Sequence, residues 1–84
     1  MAATFEIEIA TPEKLVVKRQ AESAEIPGED GYMGILPDHA ALLSELGDGT
    51  ITITGAGTTE TFHVIGGYVE VRDNHVRVAA DKIA

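Results

Sequence analysis

Eighty-four residues are enough for one small domain and too few for a second core. Fourteen acidic side chains against six basic ones give a formal net charge of −8, which argues against nucleic acid or an anionic lipid surface as partner. Without cysteine there is no disulfide framework and no thiolate metal site, and no apolar run approaches a membrane span or a signal peptide.

The dominant hydrophobic period is two. Phe5, Ile7 and Ile9 alternate with Glu6 and Glu8, the pattern of a strand with one wet face. Thr11-Pro12 breaks this run because proline lacks a ladder amide. Lys14 to Ala24 reads as a second strand, with Leu15 and Val17 apolar and Lys14, Lys18 and Arg19 charged. Ala40 to Leu46 is too short for a helical face and reads as extended. Ile51 and Ile53 then alternate with threonines, Phe62 and Val64 with Thr61 and His63, and Val69 and Val71 with Tyr68, Glu70 and Arg72. Val76, Val78 and Ala80 complete the series. Turn signals at Pro27-Gly28, Gly47-Asp48-Gly49, Gly55-Ala56-Gly57, Gly66-Gly67 and Asp73-Asn74 separate the runs. Asp73-Asn74 between two valine-bearing strands predicts a hairpin. The expected fold is all-β, a flattened two-sheet antiparallel β-sandwich of many short strands, with residues 1–84 as one domain.

Residues Ile26 to Leu43 form a stiff excursion rich in glycine and proline. Gly28, Gly31 and Gly34 accept backbone angles closed to other residues, and Pro27 and Pro37 lower the entropy lost on ordering. Glu29, Asp30 and Asp38 place three carboxylates here with no basic neighbour in the segment, beside Tyr32 and Met33. Such a preorganised acidic loop suits docking on a basic partner. A solvated loop tip of the same composition is the alternative that physics alone leaves open.

Catalytic and metal readings find little support. His39, His63 and His75 lack the spacings that bring two ligands together, and Asp38-His39 has neither a nucleophile motif nor a pocket signal beside it. The glycines of the excursion lack the lysine and following helix of a phosphate cradle. The chain is therefore expected to be no enzyme, with no cofactor and no metal.

The segment from Pro27 through Gly28, Gly31, Gly34, Pro37, His39 and Ala40 to Leu42 and Leu43 resembles the signature of the epsilon subunit of F-type ATP synthases. Three other segments are similar to that family: Phe5–Leu15 with its Thr11-Pro12-Glu13-Lys14 corner, Gly66-Gly67-Tyr68-Val69-Glu70-Val71, and Asp73 to Asp81. Asp38 and Ala41 depart mildly from the family pattern. The resemblance implies the N-terminal β-sandwich of a non-catalytic rotor subunit in a proton-transporting ATP synthase. Its partners would be the gamma subunit and the polar loops of the membrane c-ring, bound as a single copy in a hetero-oligomer. Its implied place is the cytoplasmic face of the energy-transducing membrane, held peripherally and without lipid insertion. Glu29, Asp30 and Tyr32 match positions that meet the c-ring, and Thr11, His39 and Ser44 match positions near gamma. Leu42 and Leu43 are left open between core and interface. The family's two C-terminal helices do not follow in this sequence, which fits a naturally short form or a shortened chain. An independent β-sandwich module for carbohydrate or peptide is the rival reading. It would want clustered exposed aromatics, yet the chain offers only Phe5, Tyr32, Phe62 and Tyr68, with both phenylalanines at inward positions.

Overall fold

The computed structural model describes residues 3–84, and its secondary structure is all strand. Eight strands follow in order: β1 Phe5–Ala10, β2 Leu15–Ala21, β3 Ser23–Gly28, β4 Gly31–Ile35, β5 Leu42–Glu45, β6 Gly49–Gly55, β7 Thr58–Arg72 and β8 His75–Ile83. The extended reading of Ala40–Leu46 is realised as β5. The single strand expected over Lys14–Ala24 is instead two, β2 and β3, broken at Glu22. β2 pairs with β1, whereas β3 pairs with β4 and β6, so the chain must change layers between Ala21 and Ser23.

Hydrogen bonding runs in the order β2-β1-β8-β7-β6-β3-β4, with β5 attached to β7. Among the described residues every pairing is antiparallel except β1 with β8, which run parallel from Glu6↔His75 to Ala10↔Ala79. The long strand β7 makes this a sandwich. Its first half pairs with β6 and its second half with β5, while β8 follows its other edge from Arg72↔His75 to Val64↔Ile83. Gly66-Gly67 therefore does not end a strand, as its composition suggested. It bends one strand from the β7-β6-β3-β4 layer into the β2-β1-β8-β7-β5 layer, with φ of 65° and 110°. A Cβ on Gly67 would overlap the Ala79 carbonyl oxygen and sit 2.9 Å from the Ala80 Cα, so the close approach admits only glycine.

Alternation fills the space between the layers. Phe5, Ile7 and Ile9 from β1, Ile51 and Ile53 from β6, Val69 and Val71 from β7, and Val76 and Val78 from β8 are buried together, and no polar or charged residue among those described is buried with them. The β7–β8 turn holds Asp73 and Asn74 at φ of 52° and 61°, the two left-handed residues of a type I′ hairpin. Ala56 and Gly57 make the equivalent turn between β6 and β7, at 54° and 75°. At the open side, the Glu22 amide donates to the Thr54 carbonyl at 2.8 Å. Beside it, Arg19 crosses from β2 to donate to the Gly55 carbonyl at 2.8 Å and to pair with Glu60.

Candidate docking surface

The acidic excursion resolves into the β3–β4 hairpin, paired from Ala24↔Ile35 to Gly28↔Gly31, with Glu29 and Asp30 exposed at its tip. Of its three glycines, only Gly31 adopts a left-handed φ, at 130°. Gly28 is required by space instead, since a Cβ there would lie 2.9 Å from the Gly31 carbonyl oxygen; Gly34 opens onto free volume. The tip is braced against the β5–β6 connection. Gly28 bridges Leu46, the Glu29 amide donates to the Glu45 carbonyl at 3.1 Å, and the Gly47 amide donates to the Pro27 carbonyl at 2.9 Å.

This bracing sets Glu45 beside Glu29, a neighbour that sequence reasoning missed because it lies on another strand. The hydrogen bond and like charge of the Glu45 carboxyl push Glu29 above the usual carboxylate range, and slight desolvation and Asp30 add to the shift. Asp48 completes the acidic end, accepting from the Gly66 amide at 3.1 Å and so holding the bend of β7. Tyr32 keeps a half-exposed ring, while its hydroxyl accepts from the Thr50 amide at 3.0 Å.

The remaining expected site residues are spread along the domain. Thr11 closes the β1–β2 corner, its amide donating to the Lys14 carbonyl at 2.9 Å, and lines a groove with Asp81 and Lys82 near the β7 bend. His39 lies at the opposite end from Glu29 and Asp30. β4 carries the chain away from the tip to a loop where the Asp38 amide donates to the Asn74 side chain at 2.8 Å, and the His39 ring Nδ1 sits 2.7 Å from the Ala40 carbonyl oxygen. Ser44 stands midway, on β5 opposite Val69. The question over Leu42 and Leu43 is settled by strand alternation. Leu42 packs against the core, whereas Leu43 is 71% exposed on the outer face, where Tyr68 is 55% exposed. Leu43, Ser44, Glu45 and Tyr68 together line one surface hollow.

A second cluster, also unforeseen, lies on the same outer face. His75 Nε2 sits 2.9 Å from Glu8 and 3.2 Å from Glu6, and Arg77 Nε lies 3.2 Å from Glu8. Alternation pointed Glu6 and Glu8 outward, but only the parallel pairing of the first and last strands brings His75 and Arg77 to them. Among the described residues no group of three or more His, Cys, Asp or Glu side chains is arranged to hold a metal ion. Among the described residues no helix is long and apolar enough to cross a membrane.

The family described as the ATP synthase delta/epsilon chain β-sandwich domain matches residues 4–84. The chain belongs to this family. Among curated relatives it is 46% identical over 81 residues to the ATP synthase epsilon chain of Solibacter usitatus, and 49% identical over 81 residues to that of Koribacter versatilis. Each match takes in 96% of this chain but only 60% and 57% of those proteins, so the chain spans somewhat over half of the epsilon chains it resembles. Its fold superposes on a chain of the Euglena gracilis mitochondrial ATP synthase with a TM-score of 0.90 over 98% of this chain and 53% of that one. At 19% identity that likeness speaks for the β-sandwich alone. Membership in the delta/epsilon β-sandwich family leaves the rival reading, a free-standing carbohydrate or peptide module, without support.

Proposed function

We propose that this domain is a non-catalytic rotor element of a proton-transporting ATP synthase, docking on the gamma subunit and on the polar loops of the c-ring. The braced acidic tip is the observation that carries this reading. Glu29 and Asp30 stand exposed on a hairpin end fixed by backbone bonds to the β5–β6 connection, so little ordering remains to be done on binding. A guanidinium from the partner would meet a carboxylate pair in a partly dehydrated contact. Tyr32 flanks them on β4. The domain would sit as one copy at the cytoplasmic face of the membrane, held by proteins rather than by lipid.

Gamma is assigned to the outer face of the β2-β1-β8-β7-β5 layer and its margins. β5 leads from the His39 end towards the tip, passing Ser44, and Thr11 lies at the far corner of the same layer. Leu43 and Tyr68 supply exposed apolar area midway along this path. Ser44 turns with Leu42 to the inner side of β5, so a partner on this face would meet Thr11 and His39 at its margins and reach Ser44 only by wrapping around β5. In this arrangement gamma supplies most of the affinity and the acidic tip acts as a lateral key against the ring.

The test is assembly with purified gamma alone and with a gamma–c-ring subcomplex. Reversal of both tip charges, Glu29→Lys with Asp30→Lys, is expected to weaken retention on the ring-containing complex and leave gamma binding nearly unchanged. Equal loss in both assays would refute the division of labour. Failure of the unaltered chain to bind either would refute the function.

A further inference from the structure

Tyr32 occupies a place where the ladder between β3 and β6 is left incomplete. The pairing runs Ser23↔Thr54, Ala24↔Ile53 and Glu25↔Thr52, and then stops. Continued in the same register it would set Pro27 against Thr50. Proline has no amide to give, and the Pro27 carbonyl already accepts from Gly47 at 2.9 Å. The Thr50 amide instead donates to the Tyr32 hydroxyl at 3.0 Å, which reaches over β3 from β4. Gly49 makes the room for it. A Cβ at that position would lie 2.5 Å from the hydroxyl oxygen and 2.9 Å from the Pro27 Cβ.

From this geometry we infer that Tyr32 is a positioning residue, whose hydroxyl ties β4 and the acidic tip to the start of β6 and so sets where Glu29 and Asp30 meet a cationic partner. The inference rests on the docking reading of the tip and specifies how Tyr32 serves it. Among the described residues β4 pairs only with β3, and while Ile35 and Met33 anchor it in the core, Gly34 adds no side chain between them. The hydroxyl is thus a tie from β4 to a strand other than its neighbour. Tyr32 acts through the two carboxylates rather than beside them.

Tyr32→Phe, which keeps the ring and removes only the oxygen, tests this in two readouts. In the isolated chain, amide hydrogen exchange at Thr50 should quicken about fivefold or more, the scale of one lost hydrogen bond. Unchanged exchange there overturns the inference. Affinity for a purified gamma–c-ring subcomplex is then measured for the unaltered chain, for Tyr32→Phe, for the pair Glu29→Gln with Asp30→Asn, and for all three changes together. The loss from Tyr32→Phe should disappear once the carboxylates are gone, because a residue acting through them has nothing left to position. An equal loss in both backgrounds marks Tyr32 as a direct contact and overturns the inference alone, as does undiminished docking of Tyr32→Phe. Failure of the unaltered chain to dock overturns the functional reading and this inference with it.

Discussion

Gly67→Ala should be the most damaging single methyl group that this domain can receive. Two costs combine at that position. At φ of 110° an L residue sits in a region that only glycine enters freely, a strain of about 1–3 kcal/mol. The added Cβ also overlaps the Ala79 carbonyl oxygen and lies 2.9 Å from the Ala80 Cα, both backbone atoms of the paired strand, so no side chain can swing aside. Overpacking of that kind adds about 1–3 kcal/mol more. Together they give about 4 kcal/mol, against roughly 4–13 kcal/mol for the stability of a chain of this length. The internal control is Gly57→Ala, at φ of 75° with nothing within 4 Å of the new carbon, which carries strain without the clash. Thermal unfolding followed by circular dichroism should lower Tm by about 15–30 °C for Gly67→Ala and by about half of that for Gly57→Ala. Equal shifts for the two variants would show that the close approach of β7 to β8 contributes nothing, and would refute the account of the bend.

Three further outcomes are expected. Arg19→Met keeps the apolar stem but removes the donors to Gly55 and Glu60, and should cost about 1–3 kcal/mol, read as a lower urea midpoint with an unchanged m-value. Ala56→Asn, at a left-handed turn position with φ of 54°, should stabilise by about 0.5–1 kcal/mol in the same assay. Glu29 binds its proton more tightly in the folded chain than in the unfolded one. Its contribution is therefore present below the ordinary carboxylate range and is lost as pH rises through its raised folded value. Glu45→Gln should lower Glu29 towards the ordinary range in a carboxyl-detected NMR titration and reduce that loss.

Local chemistry was legible in the sequence wherever one strand or one turn decided the outcome. Phe5, Ile7 and Ile9 announced a buried face by alternation, and Asp73-Asn74 announced its hairpin because few other residue types accept two left-handed positions in succession. The break at Glu22 was hidden, since Ala21-Glu22-Ser23 carries neither glycine nor proline and the change of layer is imposed by which partners β2 and β3 find. Gly66-Gly67 was visible but ambiguous, because glycine serves a chain reversal and a strand bend equally well. The candidate surface was half readable. The acidic tip stood out by composition. Its neighbour Glu45, the separation of His39 from the tip, and the meeting of His75 with Glu6 and Glu8 all depend on pairings between distant segments, which no local pattern encodes.

The bend in β7 also has a mechanical side. The Leu46 amide donates to the Gly67 carbonyl at 2.9 Å, and Leu46 is the residue that Gly28 bridges just behind the hairpin tip. A sideways push on the hairpin end is thus delivered to a bend that both sheets share. The domain should yield to shear as a single block, not as two plates sliding over each other.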